Sequence, residues 1–345
     1  MRLGGAWGIG VSLGNGVGTF QPAVFYQAGT DANTDFVAIG DFNGDGILDV
    51  ATVGSSGIWL FTGKGGGAFN PGVLTPFQGA GPTDYTWLKA ADFRKNGKLD
   101  LVVATPSGFA VLLGNGNGTF QPQQNFTVPH QAETFCSFVA GSLSKDGYPD
   151  IVVSCPFQNY VMLYLGNGAG GLSGPTYAYM PQGVDAIVDV NGDGIPDLVN
   201  SYVYVALGEG NGKFKPPVLH SVQVAAGGFG PSNLVPAHLR SPSLVDLVVQ
   251  GAGAVSVLLN QGKGNFEDGV WTPLSSQGYC AATADFNGDG KPDVAVNTGQ
   301  GVSILLGTGS AKAPFAAGQS ITLSNAGCLL AADLNGDHIP DLVVP

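Results

Sequence analysis

Short apolar runs follow one another along this chain, separated by polar or glycine-rich breaks. Phe36-Val-Ala-Ile-Gly40, Val50-Ala-Thr-Val53, Ile58-Trp-Leu-Phe61 and the stretch 73–77 form one such group. The runs are too short for helices. They are rich in β-branched and aromatic residues, and they alternate or stay apolar throughout, as half-buried and fully buried strands do. Each group therefore predicts four antiparallel strands, termed A to D in that order.

The breaks repeat as faithfully as the runs. Between A and B lies an acidic loop, intact at Asp41-Phe-Asn43-Gly-Asp45-Gly-Ile47-Leu-Asp49, Asp189-Val-Asn191-Gly-Asp193-Gly-Ile195-Pro-Asp197, Asp285-Phe-Asn287-Gly-Asp289-Gly-Lys291-Pro-Asp293 and Asp333-Leu-Asn335-Gly-Asp337-His-Ile339-Pro-Asp341. Degenerate copies begin at Asp92, Ser142 and His238. The seven starts, at 41, 92, 142, 189, 238, 285 and 333, are about fifty residues apart, a period that marks a repeat architecture. Between C and D a second landmark recurs, as in Leu13-Gly-Asn-Gly-Val-Gly-Thr-Phe20 and Leu113-Gly-Asn-Gly-Asn-Gly-Thr-Phe120. It reads as a hairpin turn. A phosphate cradle would need a helix behind the glycines, and no helical pattern follows.

Seven four-stranded units predict an all-β, seven-bladed β-propeller. The chain opens at a strand C (7–13) and stops just after a strand B (342–344). The N-terminal C and D strands are therefore expected to complete the blade whose A and B strands come last, closing the ring and removing its open sheet edges. Residues 1–345 read as one propeller domain.

The acidic loop offers oxygen at positions 1, 3, 5 and 9, with the carbonyl of position 7 beside them. Hard cations such as Ca²⁺ take six to eight oxygens. The expected ligands are Asp41, Asn43, Asp45, Ile47 and Asp49; Asp189, Asn191, Asp193, Ile195 and Asp197; Asp285, Asn287, Asp289, Lys291 and Asp293; and Asp333, Asn335, Asp337, Ile339 and Asp341. About four Ca²⁺ ions are expected. The loops holding Asp92, Asn96 and Asp100, and Asp146 and Asp150, should bind weakly or not at all, because Arg94 brings a cation into the first and serines replace ligands in the second. The loop at His238 should bind none. His338 stands where the other intact loops carry Gly, so a left-handed backbone is expected there.

Charge fits this reading. Three Asp in each of four intact loops match the formal net charge of −12, and four Ca²⁺ would leave about −4. Only 13 Lys and Arg remain, which offers no electrostatic footprint for nucleic acid. No apolar run is long enough to span a bilayer. No secretion signal precedes the first strand, yet loops of this modest charge suit extracellular calcium levels, and an extracellular, cell-surface or periplasmic protein is expected, as a monomer or as a module of a larger chain. Cys136 and Cys155 fall on facing strands A and B of one unit, where either a disulfide or two buried thiols would fit. Cys280 and Cys328 hold equivalent sites in successive units and read as small core residues.

The Asp-Phe-Asn-Gly-Asp-Gly-x-x-Asp loop, its aliphatic strand and the Leu-Gly-Asn-Gly-x-Gly-Thr-Phe turn together resemble the FG-GAP or VCBS repeats of bacterial exported proteins and, more distantly, the integrin α-chain propeller. The resemblance covers nearly the whole chain. It implies a calcium-bearing seven-bladed propeller, with adhesion, carbohydrate binding or protein binding in some relatives and catalysis in a few.

Function then divides by face. The A-to-B loops are committed to calcium, whereas the D-to-A connections vary, so a carbohydrate or protein ligand is expected on the D-to-A face, with Tyr85, Trp87, His130 and Glu133 as contacts. Trp87 could equally pack within its inner strand. An enzyme, a lyase or hydrolase with its site at the channel mouth, is the alternative, and clustering of His130, Glu133 and Asp84 would favour it. Against it, G-x-S-x-G and H-E-x-x-H motifs are absent and the four His (His130, His220, His238, His338) are scattered. A structural module of a larger surface protein is a third reading.

Overall fold

The computed structural model describes residues 8–29, 36–77, 87–129, 136–155, 158–220, 233–251, 253–267, 270–274, 278, 280–298, 300–323 and 327–345. These residues form seven four-stranded antiparallel sheets, the blades of a propeller. In blade one, Val37–Gly40 (A) pairs with Asp49–Gly54 (B), B with Gly57–Phe61 (C), and C with Val73–Pro76 (D). Burial follows from this order. Strand B is buried along its whole length because neighbouring blades cover both of its faces, which is why its sequence is nearly continuous apolar. Strand D, at the rim, has no fully buried position.

The A strands are innermost. Val37–Gly40, Leu88–Ala91, Ser137–Gly141, Ala186–Val188, Asn233–Ala237, Cys280–Ala284 and Leu330–Ala332 touch one another in succession, and the last touches the first. The closing blade is composite, as expected. Gly10 pairs with Val344, Val11 with Val343 and Ser12 with Leu342, so Gly8–Ser12 and Val24–Gln27 complete the sheet of Leu330–Ala332 and Asp341–Val344. Trp7 lies outside the described residues.

Apolar side chains fill the gaps between blades. Ala51, Val53, Ile58 and Leu60 of blade one pack with Leu88, Leu101, Val103 and Leu112 of blade two. The Phe that closes a glycine turn reaches the preceding blade: Phe120 meets Phe42 edge-on at 6.1 Å, and Phe20 meets Phe286 at 5.3 Å. Burying such a ring contributes about 1.5–3 kcal/mol. In blades four and five the glycine turns form small ribbons, Gly208–Gly210 with Lys213–Phe214 and Asn260–Gly262 with Asn265–Phe266.

Cys136 and Cys155 are bridged, joining the ends of strands A and B in blade three. Cys280 and Cys328 are bridged as well, which corrects their reading as unpaired core residues. The physical reason is convergence. Innermost strands of adjacent blades crowd together around the axis, bringing equivalent positions of two units to a Cα separation of 5.2 Å despite a sequence separation of 48.

Candidate functional site

Each intact acidic loop is held by its own side chains. Asp41 accepts from the backbone N–H of Gly44 at 2.6 Å and of Gly46 at 2.9 Å, Asn43 from Asp45 at 2.9 Å, and Asp45 from Ile47 at 2.8 Å. The loops at Asp189, Asp285 and Asp333 repeat the pattern. Side chains at 1, 3 and 5 thus cap successive amides, as Asp and Asn do in tight turns. Position 6 needs a positive φ to turn its N–H inward. Gly46 sits at 80° and His338 at 67°, as expected, and the His338 amide still donates to Asp333 at 2.8 Å.

The closing Asp has a task that its place in the motif did not disclose. Asp49 is completely buried, and its two oxygens accept from the N–H of Phe42 at 2.9 Å and of Gly63 at 2.8 Å. It therefore latches the start of the acidic loop to the glycine turn between C and D. Asp100, Asp150, Asp197, Asp293 and Asp341 make the same pair of bonds in their blades. The residue after position 1 also faces outward to the next unit: the carbonyl of Phe42 accepts from Gly118, that of Phe286 from Gly18, and that of Val190 from the Asn260 amide. One loop therefore joins two strands of its own blade and the neighbouring blade.

Among the described residues no three His, Cys, Asp or Glu side chains gather into a ready-made metal cluster. What the loops assemble is a set of Asp and Asn side-chain oxygens. Its negative charges are near enough to act on one another. Burial pushes the Asp197 carboxyl up to about 6, against the pull of its two backbone donors, and Asp189 and Asp193 push it further. Burial, with the two other loop carboxylates adding, raises Asp49, Asp293 and Asp341 in the same direction. Oxygen donors crowded in this way fit a hard cation, since each latched carboxylate oxygen keeps a second lone pair.

Two of the three degenerate blades carry a cation of their own. Arg94, at position 3 of blade two, places one guanidinium nitrogen 2.6 Å from Asp100 and 2.6 Å from the carbonyl of Gly114. Arg240 repeats this in blade five, 3.0 Å from Asp246 and 3.0 Å from the carbonyl of Asn260. Blade three has neither Arg nor a full ligand set. There Ser142 donates to the carbonyl of Ser144, and Lys95 reaches across from blade two to the carbonyl of Asp146 at 3.3 Å.

At the opposite end of the A strands, Trp87 is half-buried and stacks on Phe36, with ring centroids 4.3 Å apart. It packs in its inner strand and also lines the axial channel. Tyr85, His130, Glu133 and Asp84 lie outside the described residues.

The family model described as FG-GAP-like repeat matches residues 41–103, 92–153, 143–200, 243–296 and 285–344. Among curated proteins, none is a significant sequence match. Solved structures with this fold include an Agrocybe aegerita lectin described as recognising non-reducing terminal N-acetylglucosamine, at TM-score 0.70 and 19% identity over 93% of this chain and 91% of the lectin. A Pseudomonas aeruginosa periplasmic gluconolactonase aligns at TM-score 0.63 and 16% identity, over 92% and 96%. BBS1N, in complex with ARL6DN, aligns at 0.57 and 12%, over 91% and 92%.

Proposed function

The chain belongs to the FG-GAP-like repeat family, and from that premise we propose that it is a non-catalytic, calcium-stabilised recognition module, working outside the cytoplasm and binding carbohydrate or protein through its D-to-A face. In the loops beginning at Asp41, Asp189, Asp285 and Asp333, the side chains at positions 1, 3, 5 and 9 would hold Ca²⁺ together with the carbonyl of position 7. The ion supplies positive charge to a carboxylate cluster that burial otherwise disfavours. These residues in turn tie strands A and B to the glycine turn and to the next blade.

One observation carries the metal assignment: where position 3 has lost its Asn in blades two and five, an Arg guanidinium neutralises the buried closing Asp. A cation is thus built into blades that lack the oxygen set, which supports an acquired cation in the blades that keep it. Recognition is assigned to the other face because the metal loops and glycine turns serve the scaffold. The kinship in fold to a lectin and to a propeller that binds a protein partner supports a binding role. Among the described residues no helix is long and apolar enough to cross a membrane.

Glycan-array and protein-binding screens with and without calcium test this reading. Binding should persist in calcium and weaken under chelation only as far as the fold loosens, and alanine at Tyr85, His130 and Glu133 should reduce it at unchanged melting temperature. Turnover of a polysaccharide or small substrate that is lost on changing His130 or Glu133 would move the chain to the enzyme class.

A further inference from the structure

The A strands enclose an axial cavity of about 350 Å³, within the range of small-molecule sites, which is ~300–1,000 Å³. Its lining comes from residues two to five positions before the acidic loops, so it occupies the D-to-A end of the channel. Among the described residues two ionisable groups line it, Lys89 and Asp185. They are differently placed. Asp185 already accepts from the N–H of Ser201 at 2.5 Å, and burial pushes its carboxyl up toward the neutral form. Lys89 makes no ion pair or hydrogen bond among the described residues, and the protein around it disfavours its charge. The lining also includes Ser137, Thr283 and Asn233. Trp87, backed by Phe36, adds an aromatic surface.

An ammonium without a partner among the described residues, neutral hydroxyl and amide groups and one aromatic ring make a defined set of demands on a ligand. We propose that this cavity binds a single hydroxylated carboxylate of the uronic-acid class, with its carboxylate on Lys89 and its hydroxyls on Ser137, Thr283 and Asn233. An acid of this class supplies an anion to Lys89, which has none among the described residues, and it presents C–H surface to Trp87. A half-buried charge with no partner among the described residues is costly, so a ligand that brings an anion to it gains affinity there. A neutral sugar brings no anion to Lys89. The proposal rests on the reading of the D-to-A end as the recognition face and names one ligand class for it.

Titration calorimetry with sodium D-glucuronate and with D-glucose, on the full chain in calcium, is the test. Glucuronate should bind, and glucose should bind at least tenfold more weakly. Lys89→Met should reduce glucuronate affinity at least tenfold without lowering the melting temperature, because it removes a desolvated charge, while Lys89→Arg, which keeps the cation, should retain most of the affinity. Equal affinity for the two sugars, no detectable glucuronate binding, or full affinity in Lys89→Met would overturn the proposal. A polymeric glycan or protein ligand still captured by the same protein would confine that failure to the channel and leave the recognition face standing.

Discussion

Removing the guanidinium from blade two should cost stability even when no metal is present. Asp100 is completely buried, and the side chain of Arg94 is only 15% exposed, so solvent does little to screen their 2.6 Å contact. Breaking one partner of a buried ion pair costs ~3–5 kcal/mol, mostly because the other charge stays behind. Arg94→Met should fall at the lower end of that range. Asp100 keeps its bonds from the N–H groups of Phe93 at 3.1 Å and Gly114 at 2.8 Å, and the substitution also removes the Arg94 Nε, which is buried without a partner. A loss of about 3 kcal/mol, set against an unfolding entropy of ~2.1 cal/mol/K per residue, lowers the melting temperature by about 4 °C. Calorimetry in chelator reads this without interference from the calcium loops. Lys95→Met is the control: its contact with blade three is exposed and should be worth less than ~1 kcal/mol. A drop below about 1 °C for Arg94→Met, or equal drops for the two variants, would refute the view that a cation at this position holds the loop to the glycine turn.

Acidity should act with opposite sign on the two forms of the protein. In chelator, Asp197 titrates at about 6 in the folded chain against an ordinary carboxylate value of 3.8, so between those limits the folded state binds more protons and gains stability as the pH falls. The calcium-free melting temperature should therefore rise from pH 7 to pH 5, while the calcium-loaded one falls as protons compete with the ion; a fall in both would contradict the assignment. Replacing Cys280 and Cys328 together by Ser opens a loop of 48 residues between adjacent blades, which costs ~4 kcal/mol by loop-closure entropy. The melting temperature of that double variant should drop by about 6 °C, and an unchanged value would mean that the bridge does not constrain the ring.

The architecture was legible in the sequence because propeller blades are local. Strands A to D are consecutive, their turns carry glycine, and the fifty-residue period sets where each unit begins. Even the composite seventh blade followed from counting strands at the two ends. Relations between units were less legible. The Cys280–Cys328 bridge depends on how closely innermost strands crowd at the axis, which no spacing along one chain discloses. The closing Asp illustrates a different limit. Position 9 was read as a ligand by its oxygen alone, yet its recurrence at Asp246, in a loop that has lost every other ligand, was a signal available in the sequence. A residue kept where the metal set is gone serves the backbone first, and Asp246 indeed accepts from the N–H of Asn260 at 2.7 Å. Arg94 was read as an obstacle to metal; its reach to Asp100 shows it to be the cation of its own blade.

Counting bound metal tests the central claim most directly. Equilibrium dialysis of the chelator-stripped chain against calcium, with bound ion measured by elemental analysis, should give about four ions per chain. Asp41→Ala, Asp189→Ala, Asp285→Ala and Asp333→Ala should each remove one, while alanine at Asp92 or His238 should leave the count unchanged. One bound ion or none, or a count that ignores the four intact loops, would contradict the account.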